Sequence, residues 1–176
     1  MPVPTAAPAI ARLEAAGVRA LIATGRMHCS TRRIAGELGT GGPVVCYQGA
    51  LVGAHDSTEV YAHDPLEPGI AREVVRAIAG RGVHVNAFAR DEVFVATEND
   101  EARRYAANSR TALNVVGDLA AWIAEPITKL VASGTPEEMD ALRDALVPVY
   151  GDRAFIAKSL PYFLEIAAPG VSKAHG

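Results

Sequence analysis

The stretch between Gly17 and Gly25 constrains this chain most. Residues 18–23 are apolar apart from Arg19, and glycines stand near both ends. A short apolar run bounded in this way reads as a strand buried on both faces of a parallel sheet. A helix over residues 30–38 follows, with Ile34 and Leu38 four apart, and the turn Gly39-Thr40-Gly41-Gly42-Pro43 stops it. Residues 43–47 then read as a second strand. Strand, helix and strand at this spacing make a βαβ crossover, which places the chain in the α/β class. A short helix carrying Ile10 and Leu13 precedes the unit and ends near Gly17.

From about Val60 the texture changes. Ile70, Val74 and Ile78 mark an amphipathic helix after Pro68. Residues 83–89 and 92–97 read as a hairpin turned at Arg90-Asp91. Asn99 is placed to cap a polar helix that carries Tyr105. Residues 127–133 read as a strand. Thr135-Pro136-Glu137-Glu138 is a capping box with proline at the first helical position, and Met139, Leu142 and Leu146 form the apolar stripe behind it. Two short strands, 154–158 and 162–166, close this α+β region.

Composition excludes several function classes. Apolar residues make up 49% of the 176 and charged residues 21%, enough to bury a core. Aromatics are only 6%, too few for a platform that stacks single-stranded nucleic acid. A net charge of −3 with a pI near 5.9 also argues against a nucleic-acid partner. No window approaches 18 uninterrupted apolar residues, so no membrane partner is expected. The opening residues, Met1 to Pro8, lack the basic start of a secretory leader. Cys29 and Cys46 form no metal-binding spacing and suggest a reducing, cytoplasmic compartment, both thiols buried or inert. The five histidines show no ligand spacing, so no metal site is read from them. Trp122 and Tyr162 read as core packing rather than as a sugar platform. Charge is unevenly spread. Residues 1–53 hold five arginines against two glutamates, a balance of +3, which leaves −6 for the remainder. A positive first part suits an anionic small ligand, or is a solvated cluster.

Chemistry concentrates at three places. In Leu21 to Arg26 a strand ends in Thr24, Gly25 and Arg26, with a helix soon after. Ligands bind at such carboxyl ends of strands in open α/β sheets. Thr24 can donate to a phosphoryl oxygen, and Gly25 lets the backbone approach and present its N–H. The second place is Gln48-Gly49 after the second strand, where Gln48 can hydrogen-bond a ligand or simply serve a turn. The third is Ser172-Lys173, whose ammonium can neutralise a transferring phosphoryl group.

Together these pieces resemble the haloacid dehalogenase (HAD) superfamily, and within it the Cof-type sugar-phosphatase-like branch. The residues that carry the resemblance are Ala16-Gly17-Val18 leading into Ile22-Ala23-Thr24-Gly25-Arg26. They continue with Val44-Val45-Cys46-Tyr47-Gln48-Gly49-Ala50-Leu51, Phe163-Leu164-Glu165-Ile166 and Gly170-Val171-Ser172-Lys173. The resemblance implies that Thr24 binds the phosphoryl group, with Gly25, Arg26, Gln48 and Gly49 around it. It implies a catalytic role for Lys173, which steadies nucleophile and phosphate. Gln48 stands where this branch usually has asparagine. The implied fold is a Rossmann-like core over 1–65 and 170–176, with residues 66–169 as an inserted α+β cap. The implied activity is magnesium-dependent hydrolysis of small phosphorylated metabolites, such as sugar phosphates, through an aspartyl-phosphate.

Two of the family's four motifs have no counterpart. There is no Asp-x-Asp, the source of nucleophile and general acid. Gly117-Asp118 and Gly151-Asp152 fall inside the insert, away from the spacing of the magnesium-binding motif. The expectation is therefore an incomplete core, inactive alone, with no metal ligands of its own. A cap-only binding module and one half of a split phosphatase are the alternative readings. An incomplete core is also expected to pack imperfectly, to expose a sheet edge and to favour association with a second copy.

Overall fold

The computed structural model describes residues 5–176 and divides into two compact units. One runs up to His63 and resumes at Ser172–Gly176. The other is Asp64–Val171. The leader reading at Met1 to Pro4 falls outside the described residues.

The first unit opens with helix α1 (Ala6–Ala15), which buries none of its residues. Gly17, at φ +80°, turns the chain toward strand β1 (Ile22–Ala23). Helix α2 (His28–Leu38) follows and ends on Gly39 in the left-handed conformation. Strand β2 (Val44–Cys46) pairs parallel to β1, Ile22 against Val44 and Ala23 against Val45. The expected crossover is therefore present. Strands β3 (Leu51–Gly53) and β4 (Val60–His63) extend the sheet antiparallel, in the order β1-β2-β3-β4.

The expected strand over 18–23 needs correction in length and burial. Only Ile22 and Ala23 pair, while Val18 is 51% and Leu21 62% exposed. The reason is position: among the described residues β1 pairs with β2 alone, at the edge of its sheet. Cys29 is exposed in the first turn of α2, whereas Cys46 is buried.

The second unit is built on a six-stranded sheet in the order β7-β6-β5-β8-β10-β9. Its strands are β5 (His84–Ala89), β6 (Glu92–Val95), β7 (Leu113–Val115), β8 (Lys129–Ser133), β9 (Phe155–Leu160) and β10 (Phe163–Ala167). All neighbours are antiparallel except β6 and β7. Arg90 and Asp91 turn the β5–β6 hairpin with φ of 52° and 59°, values that suit the right-handed twist of the strands. Successive side chains alternate across the sheet. Ala87, Leu130, Ala132, Leu164 and Ile166 join one core with helices α3 (Pro68–Ala79), α5 (Leu119–Trp122) and α6 (Pro136–Tyr150). Val74 and Ile78 of α3 and Met139, Leu142 and Leu146 of α6 are fully buried there.

Each helix start in this second unit has a side-chain cap. Glu67 accepts from the amides of Gly69 and Ile70, which holds its carboxyl below the usual range. Thr135 and Glu138 close a complete capping box. Asp118 caps α5 and Asn99 caps α4 (Asp100–Ser109). Trp122 stacks on Phe94 at 4.2 Å, against the core as expected. Tyr162 does not join it: it is 47% exposed and meets Phe163 edge-on at the β9–β10 turn.

The opposite face of this sheet is mixed. Phe88 and Phe163 meet Tyr105 of α4. Beside them Lys129 Nζ donates to Glu165 Oε2 at 2.8 Å, with both groups buried, and lies 5.2 Å from the Phe88 ring centre. Asn86 Oδ1 is 3.2 Å from His84 Nε2, and Asn99 Nδ2 is 3.1 Å from His84 Nδ1. Among the described residues, no helix is long and apolar enough to cross a membrane.

Two predictions follow from this face. Lys129→Met removes an ammonium and leaves the Glu165 carboxylate buried without that counter-charge. Urea unfolding should show a loss of about 3–5 kcal/mol, and Lys129→Met with Glu165→Leu should recover much of it. Burial pushes His84 below its ordinary value, against opposing pulls from Asn86 and the Glu101 charge. The folded state then holds fewer protons than the unfolded chain below about pH 6.5. Stability should fall as pH drops through that value and be flat above it, and His84→Gln should remove the dependence.

Candidate functional site

The carboxyl ends of β1 and β2 are stitched together by backbone hydrogen bonds. Thr24 N donates to Val45 O at 2.9 Å, which continues the parallel pairing one residue past the strand. Gln48 N donates to Thr24 O at 3.0 Å, and Tyr47 N to Arg26 O at 2.9 Å. The loop at 24–27 and the 3-10 turn Tyr47–Gly49 thus form two adjacent rims.

Local geometry is unusual here. Tyr47, Gln48 and Gly49 have φ of 51°, 63° and 107°. Two consecutive non-glycine residues in the left-handed region carry strain, which surrounding structure must hold in place. Tyr47 does so by burying its ring completely. The consequence is that the chain reverses within three residues and sets Gln48 over Gly25. A Cβ on Gly25 would lie 2.5 Å from Gln48 Nε2. The amide head of Gln48 fills the space that a side chain on Gly25 would take.

Gly49 meets the returning segment. A Cβ there would overlap the carbonyl of Ser172 and come within 3.2 Å of Lys173 N. Ser172 in turn organises its own turn. Its carbonyl accepts from His175 N at 3.0 Å and its hydroxyl from the same amide at 3.1 Å. Thr24 Oγ1 accepts from Arg26 N at 3.3 Å, so the hydroxyl sits at the rim and keeps its own hydrogen to donate.

Thr24, Gly25, Gln48, Gly49 and the backbone of Ser172 and Lys173 therefore come together in the first unit. Arg26 flanks them with an exposed side chain. Sequence reasoning did not single out Tyr47 or the turn that Ser172 organises. The Gln-Gly pair after an apolar strand was the available signal for a turn. Donors here are the Thr24 hydroxyl, backbone amides and the Gln48 carboxamide, while Lys173 reaches the group with its backbone and is exposed. Among the described residues, no group of three His, Cys, Asp or Glu could hold a metal ion. Gly117, at φ +74°, and Asp118 make a turn and a helix cap. Gly151 ends α6.

Gly49→Ala should be far more damaging than Gly25→Ala. The first drives a methyl into fixed backbone at a positive φ, while the second meets the movable end of Gln48. Limited proteolysis should show Ser172–Gly176 released in Gly49→Ala and retained in Gly25→Ala.

The sequence model of haloacid dehalogenase-like hydrolases matches residues 3–176. A crystal structure from Thermotoga maritima is 26% identical with a TM-score of 0.80, covering 97% of this chain and 64% of that one. A haloacid dehalogenase-like hydrolase from Bacteroides thetaiotaomicron is 20% identical with a TM-score of 0.83, covering 96% and 65%. A sugar phosphatase of HAD subclass IIB is 18% identical with a TM-score of 0.79, covering 99% and 66%. The chain thus spans about two thirds of the length of the structures it resembles. None of the curated proteins matches it.

Proposed function

Because the chain belongs to the haloacid dehalogenase-like hydrolase family, we propose that its first unit is the phosphoryl-binding part of a phosphatase for small phosphorylated metabolites. Sugar phosphates are the favoured substrate class, and the second unit is the cap that selects among them. The observation that carries this is the meeting of Thr24, Gly25, Gln48 and Gly49 with Ser172 and Lys173 at adjacent parallel strand ends. Strand ends of this kind present hydroxyls and N–H groups to phosphate oxygens. Thr24 donates its hydroxyl, Gly25 and Gly49 allow close approach, Gln48 supplies an amide, and the Lys173 ammonium offsets phosphate charge.

Magnesium, implied by the family, takes hard oxygen ligands, chiefly carboxylates. The donors gathered here do not fit it. The sequence also holds no Asp-x-Asp. In this reading the residues present bind and orient a phosphoryl group without supplying the attacking carboxylate. The cap assignment draws on the mixed sheet face, where the polar side chains Asn86, Lys129, Ser133 and Glu165 are buried among apolar ones. Edge strand β1, beside the exposed Val18 and Leu21, supports the expected association with a second copy. Two thiols without a disulfide support a reducing cytoplasm.

Titration with inorganic phosphate, followed by amide chemical shifts, should move Gly25, Gln48 and Gly49. Thr24→Val or Lys173→Ala should weaken that binding by roughly tenfold or more, the worth of one charge-assisted hydrogen bond. With an aryl phosphate, no magnesium-dependent turnover above an EDTA control is expected. Turnover abolished by Thr24→Val would show that an attacking group exists within these residues and overturn the reading. If a second polypeptide carrying an Asp-x-Asp-Gly strand restores turnover, the chain is one half of a split phosphatase. Phosphate binding that no addition converts to turnover marks a binding module.

A further inference from the structure

The first unit holds a second concave surface, separate from the strand-end site. It is a cleft of about 710 Å³ formed by one face of α2, the turn after it and the loop between β3 and β4. Arg32 and Arg33 lie three and four residues after Cys29 on the helix, so both neighbour it on one side. Thr40 lines the cleft from the turn, and His55 and Asp56 line it from the loop. None of these residues belongs to the group around Thr24 and Gln48.

Two observations give the cleft a chemical character. Its lining carries two guanidinium groups against one carboxylate. Two of its polar atoms, Arg32 Nε and Thr40 Oγ1, are buried with no hydrogen-bond partner. Thr40 is only 6% exposed, and its amide is already committed to the Ala35 carbonyl. Buried donors are satisfied in nearly all folded proteins. An acceptor with several oxygens in this positively charged recess would supply the partners these lining residues lack. Guanidinium N–H groups and a hydroxyl arriving from different elements suit a tetrahedral oxyanion better than a planar one.

We propose that this cleft binds the phosphate group of a small phosphorylated metabolite, held by Arg32, Arg33 and Thr40, at a site distinct from the strand-end one. Asp56 in the same lining favours a ligand with a hydroxyl or ammonium donor beside its phosphate. The site stands whether or not the strand-end residues bind phosphate.

Cys29 supplies a local readout, since it lies in the cleft and is exposed, while Cys46 is buried. The rate at which a maleimide labels Cys29 should fall several-fold as inorganic phosphate or sulfate is added at constant ionic strength. Acetate at the same concentration should protect at least tenfold less well. Arg32→Gln and the isosteric Thr40→Val should each weaken phosphate protection at least fivefold, with thermal unfolding as the check that both fold. Asp56→Asn should strengthen it by removing a like charge. Thr24→Val and Lys173→Ala should leave protection unchanged while weakening the phosphate-induced shifts at Gly25 and Gly49, which separates this site from the proposed function. Protection that survives Arg32→Gln and Thr40→Val, or that vanishes with Thr24→Val, would overturn the proposal, as would equal protection by acetate.

Discussion

The amides of Thr24, Tyr47 and Gln48 donate across the carboxyl ends of two parallel strands, and the first unit is organised around those three bonds. They tie two loops that are far apart in sequence into one rim. They also hold Tyr47 and Gln48 in backbone conformations that neither residue would adopt alone. The buried Tyr47 ring gives the rim its floor, and Gly49 gives it a contact surface for the returning segment. Without the parallel pairing of Ile22 with Val44, the Gln48 amide would meet the Thr24 carbonyl only by chance.

The two units bury polarity in different ways. The first leaves α1 without a buried residue and Val18 and Leu21 in contact with solvent. The second closes a continuous apolar core between one sheet face and three helices, and puts its charged pair on the other face. A buried Lys–Glu pair adds little net stability over apolar residues of the same size, because desolvation consumes most of the attraction. Its presence is therefore not explained by stability alone.

Elements were legible in the sequence where the signal was local. The Thr135 to Glu138 box, the Asn99 cap, the Arg90-Asp91 turn and the 70, 74, 78 stripe need only neighbours to work, and each appears where the residues place it. Strand β7 was not legible, since Leu113–Val115 is three residues long and stands by pairing with β6. Strands β3 and β4 were missed for a related reason: β4 is exposed throughout, so it has no buried face to write into the pattern. The exposure of Val18 and Leu21 was illegible because apolar composition reports what a strand could bury, not its place at an edge. At the site, the residues at 24–25, 48–49 and 172–173 could be named one by one. The left-handed turn that aims Gln48 and the approach of Gly49 to Ser172 depend on contacts distant in sequence.

That last contact has a consequence for how the chain is made. Gly49 leaves the ribosome early, but the wall it packs against is synthesised only after the whole of the second unit. At translation rates of about 5–20 residues per second, the rim at 24–49 waits several seconds for its partner. The hairpins of the second unit close in microseconds once exposed. The inserted unit can therefore be folded before the rim at 24–49 meets the segment that returns at Ser172.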